Sequence, residues 1–289
     1  MLGSAVERRL QKSGRKYFVS DKEVDITSFD TLNAFIRKQI TRPADIEWII
    51  NCAAYTAVDK AEEEPVPAAF LNSIGPKNLA RFAETVGAAL IHVSTDYVFD
   101  GKKHSGYYEE DIPHPRSVYG RTKYAGEAAV AYHCPAFYIV RTAWLFGEDG
   151  GNFVKTMLAR FRDGAAVRVV DDQWGSPTYA GYLAHGLCSF LTSEHPAPYG
   201  IYHYTNKGCT NWYEFAWEIY TQARGLDLCG PQGKIIPVKS SQYPTKAERP
   251  VYSVLHTEKI SRALHLEIPG YTDALHMCLK NLKEDGTYA

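Results

Sequence analysis

The sequence lacks several features that would each indicate a particular class of protein. Its 289 residues carry 32 Lys and Arg against 33 Asp and Glu, so no excess of positive charge is available to attract nucleic acid or an anionic membrane. Apolar runs such as residues 86–90 fall far short of the roughly 18 residues typical of a bilayer-spanning helix. We therefore expect a cytoplasmic protein with a small-molecule partner, and no nucleic acid or membrane partner.

Closely spaced cysteine pairs are also missing. The six cysteines lie far apart in the sequence, which fits neither a zinc site nor a disulfide framework, so we expect reduced and mostly buried thiols. The basic start of the chain resembles an organelle transit peptide in composition. Leu2, Val6 and Leu10 at helical spacing, together with Glu7, favour an ordinary amphipathic helix instead.

The first half of the chain does contain a regular alternation of short β-rich runs and helical patterns. This alternation predicts an α/β fold: a doubly wound parallel sheet, Rossmann-like, with helices on both faces. The predicted strands are residues 17–20, 48–52, 90–94, 137–141 and 167–170, and the predicted helices are 29–39, 65–86, 119–132 and 152–162.

The amino-acid composition changes after about residue 171, where Pro, Gly and aromatic residues become frequent. We expect a smaller C-terminal lobe in residues 172–289, with an approximate boundary and some interleaving with the sheet domain of residues 1–171. Its predicted elements are helices at 212–224 and 273–282, a strand at 235–238, and a further helix with Thr257 as a possible N-cap.

Polar and small residues follow the predicted strands at the positions where parallel sheets bind ligands. Thr95 directly follows strand 90–94, and Ala53 and Ala54 follow strand 48–52, where small side chains let a flat molecule approach the backbone. Asp25, before Ile26, is placed to meet an adenine or ribose edge, although a turn-forming aspartate is the plainer interpretation.

Tyr119 and Lys123 lie four residues apart in a predicted helix, so both can project into one cleft. The pair is weak evidence by itself, because chance alone produces such a spacing. Its chemistry suits ketone reduction. Hydride transfer to a ketone leaves an alkoxide that needs a proton donor, and a nearby ammonium lowers the pKa of a tyrosine from about 10. Thr95 can donate a second hydrogen bond to the carbonyl.

Sequence motifs at these positions resemble those of a known family. The motifs are NCAAYTAVDKAE at 51–62, STDYVFDG at 94–101, YGRTK at 119–123, RTAW at 141–144, NFVKTM at 152–157, DQWGSPT at 172–178 and RP at 249–250. Together they are similar to the extended short-chain dehydrogenase/reductase superfamily, and within it to the dTDP-4-dehydrorhamnose reductase family. The resemblance covers nearly the whole chain in the right order.

The resemblance implies NADPH- or NADH-dependent reduction of the 4-keto group of dTDP-4-dehydro-L-rhamnose by a monomer or weak homodimer. Residues 1–171 would bind the cofactor and 172–289 mainly the nucleotide-sugar substrate. The implied catalytic residues are Thr95, Tyr119 and Lys123, with Tyr119 as proton donor. The implied cofactor-binding residues are Leu2, Gly3, Asp25, Ile26, Ala53, Ala54, Tyr55, Thr56, Tyr119 and Lys123, and the implied substrate-binding residues are Thr95, Asp96 and Trp144.

The start of the chain departs from the family pattern. Family members begin with a strand and a Gly-x-x-Gly-x-x-Gly loop that approaches the cofactor pyrophosphate, and Leu2 and Gly3 match the last two residues of that loop. We expect a shortened start that omits the central first strand, which would leave its neighbours with unpaired backbone groups. Ala5 stands where some members have a metal-binding carboxylate, so we predict no metal site.

Two other functions remain open from the sequence. Sugar-nucleotide dehydratases and epimerases of the same superfamily also use the Tyr and Lys pair, but dehydratases place Asp-Glu after the threonine, whereas Asp96-Tyr97 follows Thr95 here. The second alternative is a non-catalytic regulatory subunit resembling that of methionine adenosyltransferase. An intact set of Thr95, Tyr119 and Lys123 favours catalysis.

Overall fold

The predicted alternation of strands and helices forms a parallel sheet and a second lobe in the computed structural model, which describes residues 1–40, 42–193, 196–231 and 234–286. The strands are β1 Trp48–Asn51, β2 Ala89–Thr95, β3 Phe137–Thr142, β4 Leu145–Phe146, β5 Ala166–Val170, β6 Trp174–Gly175, β7 Thr178–Tyr179, β8 Gly200–His203, β9 Thr210–Asn211 and β10 Lys234–Val238. The helices are α1 Leu2–Ser13, α2 Phe29–Gln39, α3 Val58–Glu63, α4 Pro65–Ala69, α5 Gly75–Val86, α6 Val118–His133, α7 Phe153–Arg162, α8 Ala180–Thr192, α9 Trp212–Gly225, α10 Glu258–Leu264 and α11 Tyr271–Glu284.

The main sheet has the strand order β1-β2-β3-β8, and every pairing in it is parallel. Helices cover both of its faces. Adjacent residues of β2 point to opposite faces of the sheet, so they pack against different helices. Ile91 packs in a core with α1 and α8, whereas Leu90 packs in a core with α2 and α5. The doubly wound α/β fold expected from the sequence is therefore confirmed.

The predicted strand at residues 17–20 is wrong. The structure has no strand there, and Phe18 and Val19 are 56% and 51% exposed. A strand needs a neighbour to accept its backbone hydrogen bonds. Within the described ranges, β1 is the edge strand of the main sheet and nothing pairs with residues 17–20.

The strand at 167–170 forms, but it does not join the main sheet as expected. As β5 it pairs in parallel with β10 of the C-terminal part, while β8, from beyond residue 171, completes the main sheet beside β3. The sequence carried a signal for this difference, because Arg168 interrupts the apolar run of β5. In the structure exposed and buried residues alternate along this strand, as in a half-buried strand. The boundary at residue 171 stays a prediction, and the two parts exchange strands across it.

The other predicted helices are present within a few residues of their expected bounds. The predicted helix at 65–86 is divided by a π-helical turn at Phe70–Ile74, and α8 lies where we predicted none. Thr257 precedes α10 as expected, yet its side chain makes no capping hydrogen bond. Helices α7, α9 and α11 pack with β5 and β10 to form the core of the second lobe.

All six cysteines are free thiols. In the part of the chain that the structure describes, no helix combines the length and the apolar character needed to cross a membrane.

Candidate active site

Thr95 and Asp96 lie at the carboxyl end of β2, in the middle of the main sheet. The Thr95 hydroxyl donates to Asp96 Oδ1 at 2.9 Å and accepts the Tyr97 backbone N–H at 3.2 Å. Asp96 is 2% exposed, and its second carboxylate oxygen makes no hydrogen bond of good geometry to another described residue. Burial raises the pKa of Asp96 to about 6, and the nearby Ser253 side chain opposes that rise only in part. A buried acceptor with incomplete hydrogen bonding therefore lies beside the Thr95 hydroxyl.

Tyr119 stands in the first turn of α6, close to Thr95. The Ser117 side chain caps this helix by accepting the Gly120 backbone N–H at 3.1 Å. Gly120 lets the helix approach the turn after β2, because a Cβ there would lie 2.2 Å from the Tyr97 carbonyl oxygen. Burial raises the pKa of Tyr119 above its ordinary value, and the Thr95 hydroxyl beside it partly opposes that rise. The phenol is thus held in its protonated form.

Lys123 lies one turn further along α6 and is 2% exposed. Its Nζ donates to the Val93 carbonyl oxygen at 2.7 Å, and burial lowers its pKa to about 8. We expected Lys123 to lower the pKa of Tyr119, and the structure shows the opposite direction for the phenol. The reason is that burial dominates at Tyr119, while Lys123 is engaged with the β2 backbone.

The loop after β1, which contains the predicted cofactor-binding residues Ala53 to Thr56, is fixed from two sides. The Asn51 side-chain oxygen accepts the Ala53 N–H at 3.0 Å. Asn72 accepts the Tyr55 N–H at 2.8 Å and donates to the Tyr55 carbonyl oxygen at 3.1 Å. Ala53 and Thr56 are exposed, so one side of this loop can receive a ligand.

Asn72 is a residue that sequence reasoning missed. It is fully buried in the π-helical turn, and its Nδ2 also donates to the Thr122 hydroxyl at 3.1 Å, which donates to the Tyr119 carbonyl oxygen at 2.9 Å. Asn72 therefore connects the candidate cofactor loop to the helix that carries Tyr119. An asparagine inside an apolar helix was the available signal, and π-turns are frequent at functional sites.

Leu2 and Gly3 lie in the first turn of α1. Leu2 is buried against the sheet, while Gly3 is exposed with Cys52 as its nearest neighbour. The N-terminus of α1 thus lies beside the end of β1, with backbone N–H groups and a positive helix dipole suited to a phosphate. Ala5 is buried in the same helix, and the described part of the chain holds no cluster of three metal-ligating residues. The absence of a metal stays a prediction.

Asp25 and Ile26 occupy the turn before α2. The Asp25 carboxylate accepts the backbone N–H and the hydroxyl of Thr27, so the turn-forming interpretation describes its present contacts. Asn78 of α5 donates to the Ile26 carbonyl oxygen at 3.0 Å and ties the turn to that helix. Asp25 remains exposed and able to meet a ligand.

Trp144 follows β3 and belongs to an aromatic group contributed partly by the second lobe. Its indole stacks on Trp212, with ring centroids 3.6 Å apart, and Gly175 lies so close that a Cβ there would be 2.6 Å from the ring. The backbone φ of Trp144 is 46°, which is unusual for a bulky residue and typical of functional sites. Trp212 was not predicted, because only the folded chain brings it to Trp144.

These groups fit a flat dinucleotide with a reactive ring near Tyr119. The loop at 53–56 presents the small side chains of Ala53 and Ala54, and Gly3 is exposed. Among the described residues, the second oxygen of Asp96 accepts no hydrogen bond of good geometry. The site thus combines a protonated phenol, a hydroxyl donor and a buried amine at the carboxyl ends of parallel strands. Such a set can polarise a carbonyl and protonate the resulting alkoxide.

Comparison with known proteins gives one consistent result. The family model described as the RmlD substrate binding domain matches residues 1–284. The dTDP-4-dehydrorhamnose reductase of Aggregatibacter actinomycetemcomitans is 38% identical over 95% of this chain and 93% of its own length. A probable dTDP-4,6-dihydroxy-2-methyloxan-3-one 4-ketoreductase of Streptomyces antibioticus is 39% identical over 88% of this chain and 83% of its own length.

A solved structure gives the same answer at the level of the fold. The dTDP-4-dehydrorhamnose reductase of Bacillus anthracis in complex with NADP superimposes with a TM-score of 0.88 at 35% identity, over 97% of this chain and 95% of the other. Family match, identity over most of the chain and shared fold agree, so this chain belongs to the dTDP-4-dehydrorhamnose reductase family.

Proposed function

We propose that this protein reduces the 4-keto group of dTDP-4-dehydro-L-rhamnose to give dTDP-L-rhamnose, with NADPH or NADH as reductant, in the cytoplasm. The observation that carries the proposal is the placement of the buried Tyr119 phenol beside the Thr95 side chain at the end of β2, with Lys123 one helical turn away on α6. The NADP complex of the Bacillus anthracis relative supports a nicotinamide cofactor and favours NADPH.

The proposed mechanism assigns one task to each residue. A bound reduced nicotinamide would supply the hydride. The Thr95 hydroxyl, which donates to Asp96 in the protein without substrate, would turn to donate its hydrogen bond to the substrate carbonyl, and Tyr119 protonates the oxygen as negative charge develops on it. The raised pKa of Tyr119 keeps the phenol protonated before the reaction. Lys123, which donates to the Val93 carbonyl oxygen in the protein without ligands, would hold the ribose hydroxyls of the cofactor and stabilise the phenolate once the proton has left Tyr119.

The nucleotide sugar is proposed to bind through Asp96 and Trp144. The second oxygen of Asp96 can accept a sugar hydroxyl, and the indole of Trp144 offers an edge to the nucleotide. The Streptomyces antibioticus relative has a different keto sugar in its name. A second candidate substrate is therefore another dTDP-linked 4-keto sugar, which the same assay distinguishes.

The test supplies purified protein with NADPH and each dTDP-linked 4-keto sugar and follows the loss of NADPH absorbance. We expect turnover with dTDP-4-dehydro-L-rhamnose. A sugar product epimerised or dehydrated without net NADPH loss would support the dehydratase or epimerase alternative. NADPH binding by the folded protein without turnover of any such sugar would support the regulatory-subunit alternative.

Replacement of Tyr119 with Phe tests the proton donor. The ring and its packing are retained while the hydroxyl is lost, so we expect kcat to fall by about 100-fold or more with little change in NADPH affinity. Tyr132→Phe is the matched control, because Tyr132 is on the same helix and is 85% exposed. Near-normal kcat in Tyr119→Phe would remove Tyr119 from the mechanism.

We propose a monomer or weak homodimer. Light scattering of the same preparation at several protein concentrations measures its oligomeric state directly.

A further inference from the structure

Below the candidate catalytic residues, α6 carries another buried charge. Glu127 follows Lys123 by four residues, as Lys123 follows Tyr119, so the three side chains lie along neighbouring turns of one helix face. Glu127 is 2% exposed, and its partner Arg141, on β3, is 1% exposed. The proposed mechanism gives neither residue a task.

The two side chains form a bidentate ion pair. Arg141 Nε donates to one Glu127 oxygen at 2.9 Å, and Nη2 donates to the other at 2.7 Å. Arg141 Nη1 lies 3.4 Å from the ring of His203 on β8. Burying such a pair often contributes little net stability, because both charges lose their hydration. Stability alone is therefore a poor explanation for a charged pair under this helix.

Among the titratable groups around Lys123 that are considered in turn below, Glu127 supplies the negative charge. Directly after β1 comes the Cys52 thiol, whose pKa burial raises to about 12, so it is uncharged at neutral pH. From β2 comes His92, whose pKa burial lowers well below its ordinary value. Tyr119 is held protonated on the same helix. Burial lowers the pKa of Lys123, and the charge of Glu127 opposes that effect.

The hydrogen bonds around His92 also fix its tautomer. Since the Asn51 oxygen accepts the Ala53 N–H, the Asn51 NH₂ group donates to His92 Nδ1 at 3.0 Å. The ring proton is therefore on Nε2, which has no acceptor among the described residues. His92 thus presents a donor, not an anion, to the interior that it shares with Lys123.

We propose that the buried Glu127–Arg141 pair is a positioning element for Lys123. Arg141 fixes the Glu127 carboxylate between α6 and β3, and this fixed negative charge keeps Lys123 in the ammonium form that donates to the Val93 carbonyl oxygen of β2. Both carboxylate oxygens are bonded to Arg141, so the influence on Lys123 acts through space. The catalytic meaning of this arrangement rests on the proposed function, whereas the electrostatic arrangement does not.

The test measures the titration of Lys123 without substrate, by NMR of protein labelled with ¹³C at the lysine ε-carbon. The Lys123 signal is identified by its absence from Lys123→Met. We expect Glu127→Gln to lower the titration midpoint of Lys123 by about one pH unit, because the opposing charge is lost. Glu127→Asp keeps the charge and is expected to titrate near the wild-type midpoint.

Glu110→Gln is the matched control, because Glu110 is an exposed carboxylate away from Lys123. If Glu127→Gln alone leaves Arg141 unpaired and prevents folding, the double variant Glu127→Gln/Arg141→Gln removes both charges. It is expected to lower the midpoint as well, since Glu127 acts on Lys123 and Arg141 makes no comparable contribution. An unchanged midpoint in either folded variant overturns the proposal.

The same variants separate this proposal from the proposed reaction. In an active enzyme, Glu127→Gln moves the alkaline limb of the kcat/KM profile to lower pH, whereas a purely structural role lowers activity equally at every pH. Absence of turnover in the wild-type protein would contradict the proposed function. The NMR midpoint would still decide the role of Glu127.

Discussion

At the scale of single residues, burial determines the acid–base state of the candidate site. Asp96 and Lys123 are both 2% exposed, and burial moves the pKa of each towards the neutral form. The sequence predicted which residue types meet at the end of β2. It could not predict these shifts, because burial depends on what α6 and the second lobe place over the strand ends.

Asp96 gives the clearest dependence on pH. Its folded-state pKa of about 6 lies above the ordinary value of 3.8, so this group costs stability progressively as pH rises from about 4 to 6. We expect Asp96→Asn to be more stable than wild type above pH 6 but to have a higher KM for the nucleotide sugar. Thermal unfolding at pH 5 and 7 and steady-state kinetics measure the two effects.

The kinetic part of this prediction has its own signature. If the ionised carboxylate accepts a sugar hydroxyl, the wild-type kcat/KM rises with a midpoint near pH 6, and Asp96→Asn lacks that limb. Asp163→Asn, at an exposed position after α7, serves as the control. A limb retained in Asp96→Asn would assign that titration to another group.

At the scale of elements, the π-helical turn and α6 approach each other closely enough to join two parts of the site. A Cβ on Gly126 would lie 2.1 Å from the Asn72 carbonyl oxygen. The spacing of Tyr119 and Lys123 was readable from the sequence. The turn was not, because its extra residue per turn is stabilised by contacts with Tyr55 and Thr122 that are distant in sequence.

Gly126→Ala tests this close approach. The added methyl group must push the turn away from α6, so we expect a loss of about 1–3 kcal/mol in the free energy of unfolding. Urea unfolding measures it, and NADPH affinity should fall because Asn72 then holds the 53–56 loop less firmly. Gly225→Ala, where an added Cβ meets nothing within 4 Å, is expected to be neutral or slightly stabilising. Equal stability of the two variants would contradict the packing argument.

At the scale of the whole molecule, the segment around Arg249 ties the C-terminal part of the chain to the site. Arg249 donates to the Tyr97 hydroxyl at 2.9 Å and to Asp59 of α3 at 2.6 Å. Pro250 packs against Gly101, whose φ of 76° and missing side chain allow the contact. The motifs that resemble the family at 94–101 and 249–250 therefore meet in space.

Arg249→Gln removes the positive charge that contacts Tyr97 and Asp59, and it leaves the Asp59 carboxylate without this ion-pair partner. Because the site is half-buried, we expect a loss of about 1–2 kcal/mol in the free energy of unfolding and a higher KM for the nucleotide sugar. Urea unfolding and steady-state kinetics check both. Arg160→Gln, an exposed arginine on α7, is the control. If Arg249→Gln changes neither the free energy of unfolding nor the KM, the contacts of Arg249 contribute neither to stability nor to substrate binding.

The sequence by itself determined the fold class, the family and the residues at the ends of β1 and β2, because apolar periodicity and local motifs are properties of neighbouring residues. Only the tertiary structure decided that residues 17–20 form no strand and that β5 pairs with β10. Strand pairing requires a partner from elsewhere in the chain, and no local pattern shows which partner is available. The same reason explains why Tyr119 and Lys123 were found from their spacing, whereas Asn72, Trp212 and the buried Glu127–Arg141 pair were found only in the folded molecule.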